Sequence, residues 1–277
     1  LVGDDLGTLD EALMNQTAAL GHYFCRNLDR WRDLTARTAE FVRSLPYAEE
    51  LRPAYVHIWG MHHRYKHVDA VREWLEALRQ VGAEHHDVRA LGQAHTGIGD
   101  LETFTGDLPG AATSYELALE FLTEIGDKKH GGECLTNLCD TALARGDIPT
   151  AVTCLKRAAA QSESAGSKLH RSATEMSSGT VLFCLGDLGG ALRSFQRAAD
   201  LYEGIGRGPA HCLNAMGRVQ LARGDRGRAV DCFREAAGAM GRFQADSLAG
   251  LEEALGDEPE SYRAWCAQAH DGHADVA

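Results

Sequence analysis

Small and apolar residues recur along this chain at intervals of three and four, the spacing that keeps side chains on one face of an α-helix. The same small-large-small triplet appears in four places: Ala111, Tyr115, Ala118; Ala151, Leu155, Ala158; Ala191, Phe195, Ala198; and Ala229, Phe233, Ala236. Each triplet lies just downstream of a Gly-Asp step, at Gly106-Asp107, Gly146-Asp147, Gly186-Asp187 and Gly224-Asp225, so the unit repeats about every 40 residues. Glycine just past a helix end can take the left-handed conformation that closes the helix, and the aspartate after it can cap the next one. Pro109 and Pro149 then fall in a first helical turn, where no backbone donor is lost. Upstream of the Gly-Asp steps, Lys128 to Arg145, Lys168 to Leu185 and Gly208 to Arg223 each read as one helix, with Leu135, Leu138, Met216 and Gly217 on the inward side. The unit is therefore a pair of helices. Alanine lets the two approach closely, the large residue fills the gap, and the pair must stack on its neighbours to bury its apolar face. Runs of β-branched residues are scarce, and no sheet is predicted.

The clarity of this pattern divides the chain. Residues 87–240 carry the regular array, residues 1–86 a degenerate version of it, and residues 241–277 capping helices and a tail. In the degenerate part, Thr8 and Glu11 can form a capping box. A helix pair around Leu20–Val42 is expected to turn near Asp29-Arg30-Trp31, and a second pair over Leu51–Val81 repeats the triplet as Ala70, Trp74 and Ala77. His85-His86 reads as an inter-repeat turn. Beyond Gly241, Asp257-Glu258-Pro259-Glu260 reads as a helix start, and residues 271–277 as a frayed end.

The stretches Glu124-Ile125-Gly126-Asp127, Cys134-Leu135-Thr136-Asn137-Leu138 and Ala144-Arg145-Gly146-Asp147 resemble the long tetratricopeptide repeat of about 40 residues. The resemblance covers residues 87–240 best and implies an all-α, right-handed α-solenoid of about six helical hairpins with C-terminal capping helices. The segment from His22 to Val42, followed by the Gly-Asp repeats, is further similar to the C-terminal tetratricopeptide region of actinobacterial antibiotic regulatory proteins of the SARP type and of related signal-transduction NTPases. That likeness implies a region that senses a ligand or restrains a transcriptional regulator, and it makes another domain of the same protein a candidate partner. A start at Leu1 rather than methionine fits such a piece.

Charge narrows the partners. Lys and Arg number 28 against 40 Asp and Glu, a net charge of −12, which argues against direct nucleic-acid contact and against an anionic membrane surface. A basic group at Arg207, Arg218, Arg223, Arg226 and Arg228 reads as a solvated helix surface. Eight cysteines, Cys25, Cys134, Cys139, Cys154, Cys184, Cys212, Cys232 and Cys266, form no C-x-x-C pair. Their placement within helical stretches suits small apolar fillers in a reducing cytoplasm. No apolar run approaches the ~20 residues of a membrane span.

Signatures of catalysis are missing. Gly126-Asp127-Lys128-Lys129-His130-Gly131-Gly132 lacks the closing Lys and Ser/Thr of a phosphate loop and reads as an inter-repeat turn. His63 and His67 give half a metal site without a third ligand, and pairs such as Glu252 and Glu253 read as solvated faces. No metal, cofactor or catalytic group is therefore expected, and the chain reads as a binding module rather than an enzyme. Projecting the repeat puts Gln93, Thr96, Asp100, Glu133, Thr136, Asp140, Met176, Thr180, His211, Asn214 and Arg218 on the inner, groove-lining helices. Acidic residues at one end favour a protein or peptide segment of basic character. They would repel a C-terminal carboxylate, which disfavours a co-chaperone clamp. Tyr23, Tyr55 and Trp59 are candidate aromatic anchors upstream, with Trp59 equally readable as buried core. A stand-alone scaffold, an enzyme with a pocket inside the superhelix, and a homo-oligomer remain open alternatives.

Overall fold

The computed structural model describes residues 28–47, 49–56, 68–206 and 208–238, with helical positions at 247, 249, 250, 253 and 254. The described residues are helical or lie in turns, with no strand among them. The helices are α1 (Leu28–Ser44), α2 (Val68–Glu84), α3 (Val88–Thr105), α4 (Leu108–Glu124), α5 (Lys128–Ala144), α6 (Ile148–Ala165), α7 (Lys168–Cys184), α8 (Leu188–Glu203), α9 (Ala210–Ala222) and α10 (Arg226–Gly238). A 3-10 turn at Glu49–Leu51 leads into a short helical stretch at 52–56. The chain is all-α and of the hairpin-solenoid class. It divides into two compact units, Leu1–His130 and Gly131–Ala277.

Sequence chemistry sets the helix ends. Gly106, Gly146, Gly186 and Gly224 have φ of +88°, +76°, +81° and +79°, and Gly126, Gly166 and Gly206 close the intervening helices in the same left-handed conformation. The following residue caps the next helix: the carboxylates of Asp107, Asp147, Asp187 and Asp225 accept from backbone N–H groups three residues on, at 2.8–3.1 Å. At the start of the array His86 takes the glycine's place at φ +56°.

In the first unit, α1 runs through Asp29-Arg30-Trp31, so the turn expected there is absent. Arg30 ion-pairs with Asp33 at 3.0 Å within that helix, the i,i+3 spacing that supports helix rather than turn. Trp74 is buried with Tyr55, Val42, Leu51, Leu78, Ala90 and Ala94. Tyr55 meets it edge-on at 5.3 Å and is 5% exposed, so it is core and cannot serve as an exposed anchor. Tyr23 and Trp59, like His63 and His67, lie outside the described residues. Asp87 ties this region together. It caps α3 through Ala90 N and also accepts from Tyr47 Oη at 2.8 Å and from the Arg52 guanidinium. Burial alone would raise the pKa of Asp87, but these donors together hold it below the ordinary carboxylate value.

The triplets are the centre of the hairpins. Their alanines are all fully enclosed, and Tyr115, Phe195 and Phe233 are buried with them. Each ring lies flat on a glycine of the partner helix: a Cβ added to Gly99 would stand 2.6 Å from the Tyr115 ring, and one added to Gly179 2.4 Å from that of Phe195. Gly217 seats Phe233 in the same way at 2.7 Å. The second hairpin breaks the pattern at both positions at once, with Cys139 where the glycine stands and Leu155 where the ring stands.

Candidate binding surface

In the second unit, α5, α7 and α9 lie side by side, joined by their own side chains. Ser177 Oγ on α7 donates to Asp140 Oδ1 on α5 at 2.7 Å. His170 Nε2 lies 4.0 Å from Glu133, and the Cys212 thiol on α9 points at Met176 Sδ on α7 at 3.3 Å. These are the first helices of successive hairpins, so one continuous row of side chains crosses them.

Three polar groups along this row are exposed: Glu133, Asp140 and Arg218. The others are committed to the fold to differing degrees. Thr136, which is buried, and Thr180 donate to carbonyls of their own helices, at Gly132 and Met176. Asn214 is buried and accepts from Ser247 at 2.8 Å. Met176 packs half-buried among Phe195, Val219 and Cys212. His211 is half-buried with its ring edge-on to Tyr202 at 4.5 Å. In the first unit, Thr96 bonds back to Gly92, Asp100 accepts from Tyr115 Oη at 2.7 Å, and the Gln93 side-chain oxygen is enclosed without a hydrogen-bond partner. Within each unit these first-helix side chains are thus less polar than their composition suggests. Repeat projection placed Asp140 but missed Ser177, which holds it. The only trace of that pairing in the sequence is a serine almost one repeat downstream.

Asp140 is the most unusual group of the surface. It stays open to solvent, yet protein crowds its carboxylate, and this desolvation outweighs the Ser177 hydrogen bond and pushes its pKa up to about 6. The folded-state value therefore lies above the ~3.9 of an unfolded aspartate. The ionised group opposes folding at neutral pH, and its unfavourable contribution is relieved as pH falls through about 6 towards 4. Asp140→Asn, which can still accept from Ser177, is expected to raise Tm at pH 7.5 and to raise it less at pH 5. An equal change at both pH values, measured by thermal denaturation, would show that the carboxylate is not destabilised.

Among the described residues, Cys134, Cys139, Cys154 and Cys212 are buried thiols outside any disulfide, and burial pushes Cys139 and Cys212 up to about 12. Arg218, Arg223, Arg226 and Arg228 are exposed, in keeping with a solvated surface. No described helix is long and apolar enough to cross a membrane.

No family model matches the sequence, and no curated protein matches it either. Solved structures do. A Signal Transduction ATPase with Numerous Domains (STAND) protein with a tetratricopeptide repeat sensor, from Pyrococcus horikoshii, superimposes with a TM-score of 0.62 over 96% of this chain and 42% of its own, at 15% identity. A thermophilic tetratricopeptide protein of Thermus thermophilus gives 0.55 over 74% of this chain and 98% of its own, also at 15% identity. The fold is a tetratricopeptide-type helical repeat. The apo form of RapI gives 0.63 over 96% of this chain and 75% of its own, at 11% identity. In tetratricopeptide terms, α5, α7 and α9 are the first helices of their repeats, and the Glu133–Asp140–Arg218 row lies on them. This chain spans less than half the length of the STAND protein it matches.

Proposed function

We propose that this chain is a binding module, not an enzyme, and that it holds a basic segment of a partner protein along the first-helix row of its second unit. The observation that carries the reading is the placement of Asp140. A carboxylate kept ionised at neutral pH against its surroundings costs stability, and such a cost is typically retained where a ligand makes use of it. A lysine or arginine side chain brought to Asp140 would relieve that cost, with Glu133 on the same helix extending the acidic strip. Arg218 at the far side gives the row a positive end and a preferred direction for its occupant.

The finer reading is that the module is the sensor region of a larger bacterial transcriptional regulator. It is supported by the likeness to a STAND protein whose tetratricopeptide array is a sensor and which is more than twice the length of this chain, and by the resemblance of the sequence to regulator C-terminal regions. On that reading the occupant is another domain of the same protein or a signal protein.

The test is an arrayed peptide library with basic and acidic members, probed with the wild type and with the Asp140→Asn/Glu133→Gln double variant. Wild type should retain basic peptides preferentially, and the variant should bind them about ten-fold more weakly, roughly 1.4 kcal/mol, while its Tm is no lower. Loss of binding with no loss of stability rules out unfolding as the cause. Equal retention of basic peptides by both proteins would end the proposal.

A further inference from the structure

Among the described residues, no three His, Cys, Asp or Glu side chains gather as metal ligands. Including thioether sulfur changes the picture at one place in the second unit. Cys212 Sγ lies 3.3 Å from Met176 Sδ and 3.6 Å from His211 Nε2. Three soft or borderline donors therefore meet around one sulfur, contributed by two helices: His211 and Cys212 by the first turn of α9, and Met176 by the middle of α7. We propose that Met176, His211 and Cys212 form a binding site for a single soft monovalent cation of the copper(I) class.

Donor type selects the ion. Thiolate and thioether favour copper(I), whereas calcium and magnesium require oxygen ligands, and none of the three side chains supplies one. Charge points the same way: one thiolate neutralises one positive charge, so a monovalent ion leaves the site neutral, while zinc would leave an uncompensated charge beside the buried Ala198–Ala199 cluster. Spacing is suitable. With metal–sulfur bonds near ~2.3 Å and a metal–nitrogen bond near ~2.0 Å, trigonal coordination separates sulfur from nitrogen by about 3.7 Å and the two sulfurs by about 4 Å. The first separation is present, and the second needs a shift of well under about 1 Å in the flexible methionine.

Support and access are also built in. Tyr202 packs edge-on against the His211 ring and fixes its plane. Cys212 lies in the first turn of its helix, where free backbone N–H groups offset part of the burial that raises its thiol pKa. The thiol itself is fully buried, but Met176 and His211 are only half-buried, so an ion can enter from the first-helix row. Binding exchanges one bond for another: the Cys212 S–H proton passes to solvent as the metal–sulfur bond forms, and no electrons are transferred.

Anaerobic titration of the purified chain with copper(I) bicinchoninate, in the presence of ascorbate, tests the site. The other thiols also draw copper, so the readout is the difference between proteins. Cys212→Ser should capture one equivalent fewer than wild type, Met176→Leu should weaken that equivalent about ten-fold, and Cys184→Ser, which removes an exposed thiol, should retain it. Met176→Leu conserves volume and should keep the wild-type circular dichroism, so its weaker binding cannot be put down to misfolding. Equal capture by wild type and Cys212→Ser, or a Met176→Leu variant that holds the equivalent as tightly as wild type, would overturn the assignment.

Discussion

Replacing Phe233 by alanine is expected to destabilise the second unit by about 3–5 kcal/mol, the cost of emptying a closed aromatic site. Phe233 has no exposed surface. Its ring is enclosed on two sides by backbone, since a Cβ on Gly217 would stand 2.7 Å from it and one on Gly250 2.4 Å. Ala229, Ala237 and Ala254 are buried with it, and half-buried Leu221 and Val230 pack against the cluster. The glycines offer no side chain that could swing into the vacated space and the alanines little more, so the site closes poorly unless Leu221 or Val230 shifts. Gly250 lies against this ring, and Ala254 belongs to the same cluster. Amide exchange at Ser247, Gly250 and Ala254 should therefore accelerate with that at α9 and α10, and Tm should fall by on the order of 10 °C. Phe233→Leu should lose markedly less. Unchanged protection at Gly250 in Phe233→Ala would show that the C-terminal helical positions are held by something else.

Much of this architecture is legible in the sequence because its determinants are local and periodic. At the four Gly-Asp steps a glycine closes one helix and the aspartate opens the next, and the triplet alanines become fully buried. What could not be read depends on pairing across repeats. Tyr47, Arg52 and Asp87 meet although 40 and 35 residues separate the first two from the third, and no local pattern announces a three-way bond. His86 adopts the left-handed turn conformation without being glycine, which a glycine search passes over. The expected break at Asp29-Arg30-Trp31 falls inside a continuous helix, along which Arg30 pairs with Asp33.

The surface residues separate in the same way. Repeat projection identifies which positions lie on the first helices but not what their side chains bond to. Asp100 accepts from Tyr115 because that hairpin's large residue carries a hydroxyl. Asp140, one repeat later, has Leu155 in the corresponding position, finds no such donor there and turns to Ser177. Two carboxylates at equivalent positions thus meet different hydroxyl donors, and for Asp100 that donor is the core residue of its own hairpin. The charge of the groove and the packing of the core are therefore not independent choices in this chain.

That coupling is tested most directly where the hairpin core uses two solutions to one problem. Gly179→Cys is expected to destabilise by about 3 kcal/mol: the new Cβ would stand 2.4 Å from the Phe195 ring, an overpacking penalty that exceeds the ~1 kcal/mol gained by removing glycine from a helix interior. Phe195→Leu alone should cost about 1–2 kcal/mol through the space it leaves. Combined, the two substitutions reproduce the Cys139 and Leu155 pairing of the second hairpin, in which the smaller side chain makes room for the Cβ and thiol. The double variant should then be more stable than Gly179→Cys alone, with a coupling of about 1–3 kcal/mol read from urea denaturation midpoints of the four proteins. Because the added thiol occupies the volume the ring gives up, each change is less harmful in the other's presence, and a pair that one repeat already tolerates should be partly tolerated by the next. Strict additivity of the two single effects would mean that Cys139 and Leu155 coexist for unrelated reasons and that the ring seat on glycine is not what sets the distance between paired helices.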